Sequence, residues 1–316
     1  DKPLLLSVRS GAPVSMPGMM ETILNIGLTS ETIPHMIEAT GNKCFVYDSY
    51  RRLIMMYADV VMEKALNLNR SNQPIRELME NILTETKKKN GYKNDSDMRA
   101  EDWERISNMY LTLVNEKMGC PFPDNHLDQL FGAIEAVFES WNGKRAKEYR
   151  SFEKISSSMG TAVNVQAMVF GNMGKNCGTG VAFTRNPSTG ENVFFGEWLP
   201  NAQGEDVVAG IRTPHPIVDK KNTKNSLAIS MPEAYKELSV VRKKLETHFD
   251  DMQDIEFTIQ EKKLWMLQTR TGKRTGIAAI KIATDMVKER LISKKVAIGR
   301  VRPLQIYESL LKNVDP

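Results

Sequence analysis

At 316 residues, with 41% hydrophobic and 26% charged residues, the chain has ordinary globular usage, which excludes disordered, collagen-like and disulfide-scaffold classes. Its 43 Lys+Arg against 39 Asp+Glu leave +4 with no concentrated basic tract, so no nucleic-acid footprint is expected. Three scattered cysteines without a CxxC suggest neither disulfide framework nor zinc site, and no apolar run reaches the ~18 residues of a membrane span. A reducing intracellular compartment is expected, the cytoplasm or an organelle, with no membrane partner.

Leu4-Leu5-Leu6-Ser7-Val8 reads as a buried strand beginning in the first residues, so the N-terminus reads as a cut in a longer chain. The strand runs into Ser7-Val8-Arg9-Ser10-Gly11-Ala12-Pro13-Val14-Ser15-Met16-Pro17-Gly18-Met19-Met20. Small residues there permit close backbone approach to phosphates, and oriented N–H groups form an anion-binding concavity with Arg9 as a fixed charge at the strand end. Taken without context, a Gly/Pro/Ser loop is more often only a loop.

From about residue 30 to 160 the helical period dominates: Val46, Tyr50, Leu53, Tyr57, Val60 and Val61 recur at three- and four-residue steps. The same pattern runs through Ile75–Thr86, Trp103–Lys117 and Leu127–Tyr149, with breaks such as Asn90-Gly91 and Gly119-Cys120-Pro121. Lys87, Lys88 and Lys89 sit among Asn, Gly and Asp and read as a solvated loop.

From about 161 to 271 short β-branched and aromatic runs alternate with Gly, Pro and Asn clusters, the pattern of an antiparallel sheet. Predicted strands are Val163–Phe170, Ala182–Thr184 and Asn192–Phe195. Residues 277–291 return to helix, followed by a linker.

The most informative stretch is Asp254-Ile255-Glu256-Phe257-Thr258-Ile259 followed by Leu264-Trp265-Met266-Leu267-Gln268-Thr269-Arg270. A strand's side-chain period is two, so Asp254, Glu256 and Thr258 share one face and Ile255, Phe257 and Ile259 the other. A three-residue loop, Glu261–Lys263, places Glu256 opposite Gln268 and Asp254 opposite Arg270. Two carboxylates and an amide oxygen are hard ligands suited to Mg²⁺, and Arg270 can fork onto a phosphate. On spacing alone, a solvent-facing hairpin with a cross-strand ion pair is the commoner meaning of such a pattern.

Together these segments resemble the ATP-grasp nucleotide-binding domain of the pyruvate phosphate dikinase family. The resemblance is carried by Ser7–Ala12, Ser15–Asn25, Gly178-Thr179-Gly180-Val181-Ala182-Phe183-Thr184-Arg185-Asn186-Pro187, Asn201-Ala202-Gln203-Gly204-Glu205-Asp206-Val207-Val208-Ala209-Gly210, and Gln268-Thr269-Arg270 before Gly272-Lys273-Arg274-Thr275. It implies an α+β fold: an ATP-grasp-like nucleotide-binding domain with an antiparallel sheet lobe and a large helical insertion, truncated at its N-terminus. The expected organisation is 1–29 as strand and phosphate-loop segment of the nucleotide site, 30–160 as helical subdomain, 161–276 as antiparallel β-rich subdomain, and 277–316 as helix and linker toward a phosphohistidine domain.

In such enzymes phosphoryl groups leave ATP through a histidine on a swivelling domain, interconverting pyruvate, ATP and phosphate with phosphoenolpyruvate, AMP and pyrophosphate. Placed on matching residues, the resemblance implies that Arg9 and Arg270 are the catalytic phosphate-binding arginines. It assigns Asp254, Glu256 and Gln268 to the Mg²⁺ side, Gln166, Met168 and Val169 to the adenine, and Glu205 to the ribose or phosphates. ATP and phosphate as substrates, Mg²⁺ as cofactor, the phosphohistidine and pyruvate-binding domains of a parent chain as partners, and a homo-oligomeric parent are implied with them.

Two departures stand out. The family's hairpin carries a glycine where this chain has Lys262, and its Gly-rich segment with a nucleotide-contacting lysine precedes the equivalent of Asp1. His35, His126, His215 and His248 are the only histidines, none in the Thr-Ser-His context of the phosphorylated residue, so this chain alone is not expected to complete a turnover. The alternatives are a pyruvate, water dikinase-type phosphotransferase and a non-catalytic nucleotide-sensing module. The block Gly11–Asn25 favours the phosphate-using enzyme.

Overall fold

The computed structural model describes residues 3–14, 16, 18–208, 212–218 and 225–310. Asp1, Ser15 and Pro17 of the first segment, Ala209 and Gly210 of the Asn201–Gly210 block, and residues 311–316 of the expected linker lie outside the described residues. The chain divides into two compact units, residues 1–168 and 169–316. It combines helices with antiparallel sheets, as the α+β expectation requires. Among the described residues no helix is long and apolar enough to cross a membrane.

The first unit is built on a three-stranded sheet in the order β2-β1-β3, with β1 Leu6–Gly11, β2 Thr22–Ile26 and β3 Ala162–Ala167, every pairing antiparallel. Its helices are α1 Thr32–Thr40, α2 Lys43–Tyr57, which continues as a π-helix over Ala58–Ala65, α3 Ile75–Asn90, α4 Ala100–Met118, α5 His126–Ser140 and α6 Lys144–Glu153. Val8 and Ile23 are register partners and both fully buried, and α5 packs against β1, β2 and β3. Asn42 and Asn125 cap α2 and α5, their side chains accepting from Phe45 N–H at 3.0 Å and Leu127 N–H at 2.8 Å.

Three expectations change here. The periodic stretch Leu127–Tyr149 is two helices broken at Trp141-Asn142-Gly143, because Gly143 takes extended backbone as the N-cap of α6 and the Arg150 guanidinium stacks 4.0 Å over the buried Trp141 ring. Lys87, Lys88 and Lys89 lie in the last turn of α3, not in a loop, where their charge complements the helix C-terminus and Gly91 closes the helix at φ 72°. The strand predicted over Val163–Phe170 spans Ala162–Ala167 and pairs with β1. A period of two identifies a strand and leaves its partner open.

The second unit carries a five-stranded antiparallel sheet in the order β6-β5-β4-β7-β8: β4 Gly178–Phe183, β5 Phe195–Pro200, β6 His215–Pro216, β7 Gln253–Gln260 and β8 Lys263–Thr271. With them come α7 Gly204–Val208, α8 Leu227–Ser230, α9 Pro232–Phe249, α10 Gly276–Lys288, α11 Lys294–Arg300 and α12 Pro303–Leu310. Ile255, Phe257 and Ile259 project from β7 into one core with Ala182, Trp198, Leu238 and Leu264, while Met252, Ile282 and Met286 form a second core under α10. Full burial of a side chain such as Phe257 contributes about 1.5–3 kcal/mol.

The strand predicted over Asn192–Phe195 begins only at Phe195; ahead of it the Asn192 side chain accepts from Arg242 at 2.5 Å and donates to Glu289 at 3.2 Å. The segment read as linker carries α11 and α12, both packed on α10, with Ala297 buried.

Arg185, just beyond β4, is fully buried. Its guanidinium donates to both oxygens of Glu246 on α9, at 2.9 and 3.0 Å, and to both of Glu289 after α10, at 3.0 and 2.5 Å. Burial, which disfavours the cation, is outweighed by these bonds, and the Arg185 pKa lies above its ordinary value. The Arg185 bond in turn holds Glu289 below its ordinary value of 4.5. Arg185→Ala is expected to cost about 3–5 kcal/mol by leaving the buried Glu246 carboxylate without its partner, and to lower the calorimetric midpoint by about 10 °C. Because the folded pKa of Glu289 is depressed, its contribution is complete above pH 4.5 and lost as the pH falls through the folded value. The acid branch of the wild-type stability curve should therefore be steeper there than that of Arg185→Ala.

Candidate functional site

The β7–β8 hairpin puts four polar side chains on one face. Asp254 pairs with Arg270 and Glu256 with Gln268. Arg270 Nε donates to Asp254 Oδ2 at 2.7 Å, and its Nη2 lies 3.7 Å from Glu256 Oε1. Asp254 is buried at 9% exposure, Glu256 is half-buried and Gln268 is exposed. The face is therefore graded from a buried ion pair toward solvent and is not a wholly solvent-facing hairpin.

The loop differs from expectation. Gln260 pairs directly with Lys263, so the turn holds two residues, Glu261 and Lys262, at φ 51° and 66°. Positive φ at both positions is the type I′ geometry whose twist matches that of paired strands. A two-residue turn alone would slip the register by one and send Gln268 and Arg270 to the apolar face. The slip is compensated by a bulge: Phe257 faces Met266 while Glu256 faces Gln268, leaving Leu267 as the extra residue. Lys262 N–H donates to Asn176 O at 2.8 Å and Glu261 N–H to Cys177 Sγ at 3.3 Å, which holds the turn in its left-handed conformation.

Val181 on β4 is opposite Glu256, and Glu197 on β5 is opposite Val181, so the row continues from Gln268 through Glu256 to an exposed carboxylate. Glu197 lies outside the sequence-derived set. Its alternation within Phe195–Pro200 was legible, but its alignment with Glu256 depends on strand order.

Val169 and Glu205 lie in the same unit. Gly171 O accepts from Ala202 N–H at 2.9 Å, tying the segment that begins at Val169 to the block containing Glu205. A side chain at Gly171 would meet Ala202 O at 2.3 Å and Gly178 O at 2.8 Å, so only glycine permits this approach. Gln203 N–H donates to Asp206 Oδ2 at 2.9 Å at the start of α7, and Glu205 follows half-buried.

Arg9, Gln166 and Met168 belong to the first unit. Arg9 is central on β1, opposite Thr22 on β2 and Asn164 on β3, and Ser7 is opposite Gln166. Arg9, Asn164 and Gln166 consequently share one face. Asn164 was not singled out by sequence reasoning, although the alternation of Asn164 and Gln166 with Val163 and Val165 carried the signal. Gly11 admits it closely: a Cβ there would lie 2.9 Å from Asn164 Nδ2. Met168 N–H donates to Leu5 O at 2.9 Å, and its Sδ accepts from Asn25 N–H at 3.0 Å, so its side chain is held against the end of β2.

As a donor set, Asp254, Glu256 and Gln268 fit a hard cation. Two carboxylates share the single charge of Arg270 and leave a net negative patch with an exposed amide oxygen beside it. Among the described residues no group of three or more His, Cys, Asp or Glu is arranged around a common metal position. The set suits an ion that keeps water or phosphate oxygens, as Mg²⁺ does.

Residues 1–234 and 220–291 match the family model described as pyruvate phosphate dikinase, AMP/ATP-binding domain. Similar curated proteins include the pyruvate, phosphate dikinase of Rhizobium meliloti (strain 1021), 49% identical over 100% of this chain and 35% of its own length. That of Clostridium symbiosum is 48% identical over 100% of this chain and 34% of its own length, and the chloroplastic pyruvate, phosphate dikinase 1 of Zea mays is 51% identical over 96% and 30%. The chain thus spans about a third of the length of the relatives it matches.

Lys262→Gly should stabilise the protein by about 0.5–1 kcal/mol, because glycine takes φ 66° without the Cβ penalty. Denaturant melts check this, and a loss of stability would contradict the turn geometry.

Proposed function

The chain belongs to the pyruvate phosphate dikinase AMP/ATP-binding domain family, and from that premise we propose that it holds ATP in such an enzyme while phosphoryl groups pass to a histidine elsewhere in the parent chain. The parent reaction on this reading interconverts pyruvate, ATP and phosphate with phosphoenolpyruvate, AMP and pyrophosphate. The observation that supports it most directly is the hairpin register: Asp254 and Glu256 lie across from Gln268 and Arg270 on one face, two anions and a guanidinium in contact.

Phosphoryl transfer asks little covalent chemistry of a protein, so positioning and charge neutralisation carry it. Arg270 is the phosphate fork on the hairpin, preorganised by its bond to Asp254, and Arg9 neutralises the transferring group. Asp254, Glu256 and Gln268 would hold Mg²⁺, which when bound supplies charge neutralisation on the phosphate oxygens. Gln166, Met168 and Val169 bracket the adenine, and Glu205 reaches the ribose or phosphates. The protonated guanidinium groups of Arg9 and Arg270 have no lone pair with which to attack phosphorus, so the covalent intermediate forms on another domain.

Glu256→Gln should weaken ATP binding in the presence of Mg²⁺ by about tenfold, the change produced by ~1.4 kcal/mol, and leave weak Mg²⁺-independent binding in place. Calorimetric titration with and without the metal reads both. Wild-type binding that ignores Mg²⁺ would instead favour a nucleotide sensor. In the full-length parent, Arg9→Ala should slow histidine phosphorylation by about 10³-fold, the scale of a lost phosphate-clamping arginine, with a smaller loss of nucleotide affinity. Incubated with γ-labelled ATP, the 316-residue chain should take up no stable label, whereas added histidine domain should become labelled. An acid-labile label near one equivalent on this chain would overturn the assignment.

A further inference from the structure

The tip of the β7–β8 hairpin is bonded to the segment that begins at Val169 through one side chain. Phe170 is buried and lies beyond β3, outside any regular strand. Gln260, the last residue of β7, supplies the acceptor: its Oε1 takes the Phe170 N–H at 2.8 Å. A buried backbone donor needs a partner, and here a side chain stands where a neighbouring strand would.

The turn beyond Gln260 adds two bonds to the same stretch, Lys262 N–H to Asn176 O at 2.8 Å and Glu261 N–H to Cys177 Sγ at 3.3 Å. Gly171, next to Phe170, accepts from Ala202 N–H at 2.9 Å and admits no side chain. Residues 169–171 are thus fixed on one side by the Ala202 backbone and on the other by Gln260. Of these ties, only the bond to Gln260 runs from this segment to the strand that carries Asp254 and Glu256. It is made by a side chain, and so can be removed without altering the backbone.

We propose that Gln260 is a positioning residue that sets the place of the Val169–Phe170 backbone relative to the hairpin, and so couples recognition of the nucleotide base to the phosphate-side groups. The inference rests on the proposed placement of adenine beside Val169. Gln260 touches neither base nor phosphate in this scheme; it fixes the distance between the parts that do. Without that bond the segment loses its side-chain tie to the end of β7 and shifts. Affinity for the base is then lost while the phosphate-side groups, held by the Asp254–Arg270 bond, keep their geometry.

The test compares Mg²⁺-ATP with Mg²⁺-tripolyphosphate, which carries the phosphates and no base, on the 316-residue chain with wild-type Gln260, Gln260→Met and Gln260→Glu. Gln260→Met keeps length and removes the acceptor, and Gln260→Glu restores a carboxylate oxygen that accepts the same N–H. Thermal melts establish that each variant is folded. Gln260→Met is expected to weaken ATP by about tenfold and tripolyphosphate by less than about twofold, so that the preference for ATP collapses. Gln260→Glu should recover most of that preference, measured as the ratio of the two dissociation constants. Equal weakening of both ligands, or an unchanged ratio in Gln260→Met, would overturn the inference while leaving the nucleotide reading intact. A wild-type chain that binds tripolyphosphate as well as ATP would remove the base site itself, and the inference with it.

Discussion

The metal and phosphate side proposed for the second unit depends on the register of one pair of strands. Side chains alternate across a strand, so β8 displaced by one residue against β7 would bury Gln268 and Arg270 beside Ile255 and turn apolar residues toward Asp254 and Glu256. Two local features fix the observed register together: a type I′ turn at Glu261-Lys262 and a bulge at Leu267. Neither is sufficient alone. The turn sets the phase at the tip, and the bulge resets it between Phe257 and Glu256, so the apolar and polar faces both stay consistent along the whole hairpin.

The apolar face is the energetic reason for that consistency. Ile255, Phe257 and Ile259 are fully buried in the core shared with Trp198 and Leu238, and exposing three such side chains would cost about 5–9 kcal/mol, comparable with the whole stability of a domain. The polar face follows without further expenditure. Its one buried carboxylate, Asp254, is matched by Arg270, so burial of the charge is compensated within the hairpin. Arg185 solves the same problem on a larger scale, joining α9 and the end of α10 through two carboxylates that would be costly to bury singly. Its place within a matched sequence block gives no hint of this, since both partners are more than 60 residues away.

Residue pairs across the hairpin were legible because period-two alternation and a short connection constrain them almost completely. The predicted opposition of Glu256 to Gln268 and Asp254 to Arg270 is what the structure has, although the predicted loop of three residues is not. A longer loop and a bulge are equivalent in residue count, and sequence alone could not tell them apart. The first sheet shows the opposite case. Arg9 was expected at a strand end and is central on β1; its neighbour Asn164 is more than 150 residues distant, and nothing in either segment's pattern specified that β1 would lie between β2 and β3.

The sequence by itself determined the α+β class, the helical stretch, the two faces of the hairpin strands and, through long ordered blocks, the family. These are local properties, set by side-chain period, turn chemistry and the order of motifs along the chain. Only the tertiary structure decided strand order, the bulge at Leu267, the alignment of Glu197 with Glu256, the double ion pair of Arg185 and the bond from Gln260 to Phe170. All but the bulge join residues far apart in sequence, and such contacts are selected by the cost of leaving a buried strand edge, charge or N–H unmatched once the core has closed. That cost arises only when the chain is folded, so no local pattern records which distant group will meet it.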